Sequence, residues 1–332
     1  MTQQDLRFSS HPLKTGSKLP DISKINALAI GSVSKVDGLA KASILDIDGV
    51  AVPSAFTGLL DESYASGAVR AYSTRRLYSL YTGACLRVRE SGGNTETDIG
   101  FDSNGDLDTA AIASHCGSND GFIRYWYDQS QSGATGSGVD AENSTAADQP
   151  KIYDGTNGIL ENASGVPFLT FRDSWGSGSP HLDMGGLIPS GVSPRSLFSA
   201  FGAGGDTVNA QTQMTCIGPE TGILEYLTRV QAGRIKFHNT VVIPGGQSDP
   251  FDDRIIACSS DGVTGLNHSN TITSTTVPSS FLTATEIIFG RGAQNNRQME
   301  RAYELILYTT AKSTSDHNSI RGNMNAYYAF YT

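Results

Sequence analysis

Phe122-Ile-Arg-Tyr-Trp-Tyr127 is a run of aromatic and β-branched side chains, the residue types that pack well on a pleated sheet. Similar short apolar runs recur along the chain, with turn residues between them. This spacing is typical of a two-sheet β-sandwich, and the sequence therefore predicts an all-β fold. The other expected strands are 85–89, 168–171, 197–201, 214–217, 223–228, 234–238, 254–259, 286–289 and 302–308.

The composition agrees with many turns between short strands. The 332 residues include 37 glycines, and only 17% are charged. A body of about 270 residues can bury a full core without disulfides or metal ions. A few short helices are also expected, over 67–82, over 109–115 behind an Asp108 N-cap, and over 315–328, whose tyrosine-rich stripe we interpret as packing.

A repeat of eleven residues precedes this body, in units 22–32, 33–43 and 44–54. Each unit predicts a short strand, a tight turn and a second short strand. A segment this short cannot bury its own core, so it is either a tethering linker or an assembly arm. We therefore divide the chain into an extended arm, 1–66, and a sandwich domain, 67–332. The β-branched positions of the assembly arm are Ile22, Ile25, Val33, Val36, Ile44 and Ile47.

The charge pattern argues against nucleic acid as a partner. The formal net charge is −9, and phosphate binding depends on concentrated Lys and Arg. The five arginines within residues 70–89 are interpreted as surface and salt-bridge residues. No apolar run approaches the length of a membrane span, and the amino terminus carries no signal peptide pattern. The four cysteines lack the close spacing of zinc or disulfide frameworks, so buried thiols and synthesis in a cytoplasm are expected.

Two further segments resemble known families. Residues 71–84, 106–111, Cys116 and Trp126-Tyr-Asp-Gln-Ser130 resemble the amino-terminal part of the catalytic domain of fungal-type α-L-arabinofuranosidase B. Residues 304–308 and 318–328 look like the last strand and closing helix of concanavalin A-like (LamG-like) jelly rolls, as found in virion proteins of tailed bacteriophages. The repeats of the arm are similar to repeats that precede such domains in phage structural proteins.

Together the resemblances imply a jelly-roll β-sandwich in a phage virion protein of the tail, fibre, neck or head decoration. Such a protein is made in the host cytoplasm and joins the particle. Its partners would be other virion proteins and copies of itself, as a trimer if it is a fibre. The arm would attach by strand pairing.

The arabinofuranosidase resemblance also implies positions for two catalytic carboxyl groups. The family's acid is an Asp after a Gly-Gly pair, and the matching stretch 290–296 offers Ala293 or Gln294. The nucleophile is a Glu in a central strand, where 223–228 places Thr228 and leaves Glu225 out of register. These two losses predict a protein that is not an enzyme, with Glu225, Glu286 and Glu300 as solvent-facing strand carboxylates. An active arabinofuranosidase-like hydrolase remains an alternative.

A second alternative is a module that binds host surface glycans. Trp175, in the glycine-rich loop 173–178 with Asp173, is the candidate for stacking on a sugar, whereas Trp126 is expected in the core. No metal site or cofactor is expected. Residues 102–108 space their oxygen ligands as calcium loops do, but a solvated turn is the favoured interpretation because position twelve lacks a Glu. The six histidines give no i, i+4 pair.

Overall fold

The structure, a computed structural model, describes residues 56–130, 140–171, 180–184, 196–202 and 301–330, together with the backbone of further strands whose bounds are given below. The chain divides into two compact units, Met1–Phe56 and Thr57–Thr332. Neither helix in the described part has the length and apolar character needed to cross a bilayer.

The first unit contains three short hairpins at the spacing of the repeat. They pair β1 (Lys24–Ile25) with β2 (Leu28–Ala29), β3 (Lys35–Val36) with β4 (Leu39–Ala40), and β5 (Asp46–Ile47) with β6 (Val50–Ala51). In each hairpin the fourth residue of the unit pairs with the seventh. The predicted strand, turn and strand are thus confirmed. Ile22, Val33 and Ile44 lie outside the described residues, as do the side chains of Ile25, Val36 and Ile47.

The second unit is built from antiparallel strands and two helices, α1 (Thr109–Cys116) and α2 (Thr314–Tyr328), with 3-10 turns at Leu59–Asp61, Ser63–Ala65 and Ala146–Asp148. The strands are β7 (Ala68–Ser73), β8 (Leu86–Glu90), β9 (Glu96–Ile99), β10 (Gly121–Trp126), β11 (Ala141–Glu142), β12 (Lys151–Asp154), β13 (Gly158–Ile159), β14 (Leu182–Asp183), β15 (Ser196–Gly202), β16 (Gln211–Gly218), β17 (Gly222–Val230), β18 (Arg234–Phe237), β19 (Val241–Pro244), β20 (Asp253–Ser260), β21 (Thr264–Ser269), β22 (Thr271–Thr276), β23 (Glu286–Phe289) and β24 (Arg301–Tyr308).

These strands form two sheets. The larger runs β13-β12-β10-β11-β14-β23-β16-β17-β18-β19, with β8 and β9 joined to it through β10. The smaller runs β22-β21-β20-β15-β24-β7, so the first and last strands of the unit pair with each other. The all-β sandwich that the sequence predicts is confirmed.

Strands β15 and β24 of the smaller sheet are buried on both faces. Leu305 and Leu307 of β24 pack into the core between the sheets, whereas Ile306 and Tyr308 pack towards α2. Strands buried on both sides have continuous apolar runs, which explains the sequence of β24. The stripe of α2 is packing, as expected, with Ile320, Met324 and Tyr328 fully buried.

The helix expected over 67–82 is wrong, because this segment supplies edge strand β7 followed by turns. Ala71 and Tyr72 are buried towards opposite sides of the sheet, and a strand is the conformation that sends successive side chains to opposite faces. The helix behind Asp108 is confirmed, since its carboxylate accepts the Ala111 amide at 2.9 Å. Trp126 lies in the core at 1% exposure, as predicted.

Candidate functional site

One row of polar side chains crosses the face of the larger sheet that points away from the smaller sheet. Directly paired residues of adjacent strands lie on the same face. The preceding or following residue of each strand is buried in the core, so the row itself points outwards. In register order its members are Asp98, Arg87, Tyr125, Glu142 and Asp183.

A β-bulge adds one more side chain to this row. The register between β10 and β8 shifts between Ile123 and Tyr125, which leaves Arg124 as the extra residue. Bulges redirect a side chain and are common next to active sites. The Arg124 guanidinium lies 4.3 Å from the ring centre of Tyr125, and its Nη1 donates to Glu142 Oε2 at 2.8 Å.

Two tyrosines stack beside the bulge. The rings of Tyr125 and Tyr127 have centres 5.9 Å apart and lie 11° from parallel. Tyr127 donates its hydroxyl to Asp98 Oδ1 at 2.7 Å, and Arg87 donates to both oxygens of Asp98, at 2.7 and 2.9 Å. The hydrogen bond from Arg87 lowers the pKa of Asp98, so this group is ionised at neutral pH. Burial, and then the bond to Asp98, raises the pKa of Tyr127, which therefore stays protonated.

At the other end of the row two carboxyl groups oppose each other. Glu142 and Asp183 are a direct cross-strand pair, and their side chains are 46% and 45% exposed. Directly opposed residues have Cβ atoms about 4.5–5.5 Å apart, and like charges in this position are unfavourable. Asp183 Oδ1 is shielded from solvent and accepts no hydrogen bond from the described residues, while His181 Nε2 lies 3.9 Å away.

The backbone register extends the row to Glu225. Asp183 pairs with Ile288, Ile288 with Thr215, and Thr215 with Glu225. Three strand spacings separate Asp183 from Glu225, which is about 14 Å. The pairing of the strands thus places the backbone of Glu225 in line with the row of polar side chains.

Several sites expected from the sequence lie outside the described residues. They include Trp175 and Asp173, Ala293 and Gln294, and Glu300. Thr228 and Glu286 lie on strands β17 and β23, where the backbone alone is described. The interpretations of these residues from the sequence therefore stay predictions.

The Tyr-Asp-Gln-Ser motif proves to be structural. Asp128 Oδ1 accepts the amides of Ala71 and Ser130, at 2.8 and 2.9 Å. The buried Gln129 side chain accepts the Leu77 amide and donates to two backbone carbonyls of the 73–75 segment. The motif thus fastens the edge strand β7 and the turns after it to strand β10.

The acidic loop at 102–108 also serves its own backbone. Asp102 Oδ1 accepts the amides of Asn104 and Asp106 at 2.8 and 2.9 Å, and Asp106 Oδ1 accepts the Tyr327 hydroxyl. Within the described ranges no three His, Cys, Asp or Glu side chains come together as a metal site.

The prediction that the five arginines within residues 70–89 lie on the surface is wrong for three of them. Arg70, Arg75 and Arg89 are each about 8% exposed. Arg75 pairs with the fully buried Glu304 at 2.8 Å, beneath α2. Arg87 does form the expected surface salt bridge, since it pairs with Asp98 at 36% side-chain exposure. The described thiols of Cys85 and Cys116 are buried and free, and burial raises the pKa of Cys116 to about 11.

No family model and no curated protein matches this chain. Solved structures do. An arabinofuranosidase complexed with arabinofuranosyl-α-1,2-xylobiose is 15% identical, with a TM-score of 0.54, over 78% of this chain and 62% of that chain. A GH54 α-L-arabinofuranosidase soaked with a cyclic sulfate inhibitor is also 15% identical, with a TM-score of 0.54, over 80% and 63%. The chain therefore spans less than two thirds of the length of these enzymes.

These structures show that the body has the β-sandwich fold of arabinofuranosidases, as the resemblance of residues 68–130 implies. They contradict the prediction that the protein is not an enzyme. That prediction depended on matching single carboxylates along the sequence. At 15% identity such matching fails, because a short shift of register moves every catalytic position. The phage and LamG resemblances find no support in these neighbours and stay predictions.

Proposed function

We propose that the body is a glycoside hydrolase that uses Glu142 and Asp183 as its two catalytic carboxyl groups. The observation that carries this proposal is their direct pairing across strands on the exposed face of a sandwich shared with arabinofuranosidases. Retaining glycosidases hold their carboxyl groups about 5–5.5 Å apart. A direct cross-strand pair brings the Cβ atoms of its residues to about 4.5–5.5 Å, so the two side chains can lie on either side of one bond.

The contacts of the two carboxyl groups assign one as the nucleophile and the other as the acid. Glu142 accepts a hydrogen bond from Arg124 Nη1 at 2.8 Å, which holds its carboxyl group in place beside Asp183, as a nucleophile requires. Asp183, the directly opposed carboxyl group, is then assigned the role of the acid. Asp183 would protonate the glycosidic oxygen as Glu142 bonds to the anomeric carbon. Water, deprotonated by Asp183, would then release the sugar from Glu142.

Nitrophenyl glycosides test this proposal, beginning with 4-nitrophenyl α-L-arabinofuranoside, which was soaked into a variant of one structural neighbour. Asp183→Asn should reduce turnover by about 10²–10⁴-fold, the range of a positioned proton-transfer group. Glu142→Gln removes the nucleophile and should reduce turnover at least as far. Glu161→Gln, an exposed carboxylate outside the row, is the matched control.

Azide distinguishes the two roles, because it can attack the anomeric carbon in place of a missing nucleophile. It should restore turnover to Glu142→Ala and yield a glycosyl azide. No sugar release from a broad glycoside panel would refute hydrolysis. Wild-type rates in both variants would refute the choice of carboxyl groups.

We also propose that the first unit is an assembly arm that attaches the protein to a phage particle or to copies of itself. Three hairpins with the same register at each repeat favour this role. A chain beginning at Thr57 should keep the far-ultraviolet circular dichroism of a folded body but sediment as an oligomer with fewer subunits and fail to join particles. Unchanged sedimentation and incorporation would contradict the proposal.

A further inference from the structure

The tyrosine stack and its two arginines form a second feature of the row, next to the carboxyl pair. We propose that Tyr125, Tyr127, Arg87 and Arg124 form a subsite for a neutral sugar chain that runs across the strands from Asp183 towards Asp98. The placement of the cleaved bond at Glu142 and Asp183 rests on the proposed function, whereas the binding of the chain can be tested by itself.

The charges of the subsite favour a neutral ligand. Arg87 is bound by Asp98 through two hydrogen bonds, and Arg124 is bound by Glu142. Each positive charge is therefore compensated within the row. A phosphate, sulfate or uronate would meet arginines whose charge is already compensated and would be repelled by the carboxylates beside them. Sugar hydroxyls need only donors and acceptors held in fixed positions, which paired guanidinium and carboxylate groups provide.

The two rings supply the apolar part of such a site. Tyr125 and Tyr127 are partly exposed, and their parallel stack presents a continuous hydrocarbon edge between polar groups. Because Tyr127 stacks on Tyr125 and Arg124 lies over the Tyr125 ring, a sugar would contact the ring edges. Aromatic side chains contribute a large apolar area to such contacts. The stack is also fixed before binding, since the hydroxyl of Tyr127 is bonded to Asp98 and Arg124 lies against Tyr125.

The length of the row indicates a chain rather than a single sugar. From Asp98 on β9 to Asp183 on β14 the row crosses four strand spacings. At about 4.8 Å each, this is about 19 Å, enough for roughly four sugar rings in a line. Affinity should therefore rise with the number of sugar units and level off near four.

Titration calorimetry of the full chain with α-1,5-linked arabinose oligomers of one to six units tests this inference. The Asp183→Asn variant replaces the wild type if the oligomers are cleaved, because it leaves the bonds of Arg87 to Asp98 and of Arg124 to Glu142 intact. Tyr127→Ala should weaken binding of the tetramer by about tenfold, which is about 1.4 kcal/mol. Tyr127→Phe keeps the ring and should retain most of the affinity.

Phe122→Ala is the matched control, because Phe122 is a partly exposed aromatic residue of the same strand β10 but lies outside the row. A chain that crosses the strands does not need it, so its affinity should equal that of the wild type. Equal losses in Phe122→Ala and Tyr127→Ala would refute the direction of the chain.

Three results would overturn the subsite. They are equal affinity for the monomer and the tetramer, unchanged affinity in Tyr127→Ala, and preferred binding of polygalacturonate with a strong dependence on salt. No binding of any oligomer would also refute it. If the oligomers bind as expected but no glycoside is cleaved, the subsite stands and only the proposed hydrolysis falls.

Discussion

The buried ion pair of Arg75 and Glu304 gives the sharpest test of how the smaller sheet is joined to α2. Arg75 Nε and Nη2 donate to the two oxygens of Glu304 at 2.8 and 3.2 Å. Ser73 and Tyr328 donate their hydroxyls to Glu304 Oε2, both at 2.9 Å, and Arg75 Nη1 donates to Asn323 at 3.0 Å. Burial by itself lowers the pKa of Arg75, but the neighbouring Glu304 charge more than offsets this, and the pKa is raised.

Removing one partner should be far more damaging than removing both. Arg75→Met leaves the fully buried Glu304 carboxylate without an opposite charge beside it. Glu304→Leu leaves the buried Arg75 guanidinium in the same position. Breaking a buried pair in this way costs about 3–5 kcal/mol, whereas replacing both charges by apolar residues of similar size is often close to neutral. The double variant should therefore be more stable than the sum of the single losses predicts, by about 3 kcal/mol or more.

Urea unfolding of the four proteins measures this coupling. The pair of Arg87 and Asp98 provides a matched control, since its side chains are 36% and 47% exposed. Exposed pairs contribute about 0–1 kcal/mol, so the same cycle there should show little coupling. Additive losses at Arg75 and Glu304, within about 0.5 kcal/mol, would refute the reasoning.

Four further variants test local features. Hydrogen bonds from backbone amides, first that of Thr95 and then those of Gly93 and Gly92, lower the pKa of Glu90 from 4.5 to about 2. The Glu90 carboxylate therefore stabilises the fold above pH 4.5. This stabilisation is lost as the pH falls towards 2. Glu90→Gln should therefore lower the urea midpoint at pH 7, with a difference that narrows in acid; a constant difference would contradict this. Gln129→Leu removes the partner of the Leu77 amide and of the Arg75 carbonyl, whereas the Ser73 carbonyl still accepts from Trp126 Nε1. The loss should be about 3 kcal/mol in urea unfolding, and a loss below about 1 kcal/mol would contradict this. Gly322→Ala in α2 should raise the melting temperature, because a Cβ there meets nothing within 4 Å and alanine favours the helix. Gly155→Ala should lower it, because its Cβ would clash with the Ser118 carbonyl oxygen. A lower melting temperature for Gly322→Ala than for Gly155→Ala would contradict this packing.

Local patterns in the sequence were sufficient for several elements. Asp108 marks the start of α1, because a capping carboxylate acts on amides of the next turn. Apolar runs locate strands such as β10 and β24, and the repeat locates the three hairpins of the first unit. In each case the cause lies within a few residues of the element.

The segment 67–82 shows where local patterns fail. Its apolar residues fit a helical face, yet it forms strand β7 because β24 is available to pair with it from the far end of the chain. Ser73 pairs with Glu304, more than two hundred residues away, and no local pattern contains that information. The buried position of Arg75 follows from the same pairing.

By itself, then, the sequence determined the all-β class, the capped helices and the hairpins of the repeat, because turns, caps and apolar periodicity act between close neighbours. Only the tertiary structure decided which charges are buried and which side chains meet. Asp98, Arg87, Tyr125, Glu142 and Asp183 come from five different strands, and strand register alone brings them into one row. Register is set by the packing of the whole sheet against its core, and a shift of one residue would turn each of these side chains to the opposite face.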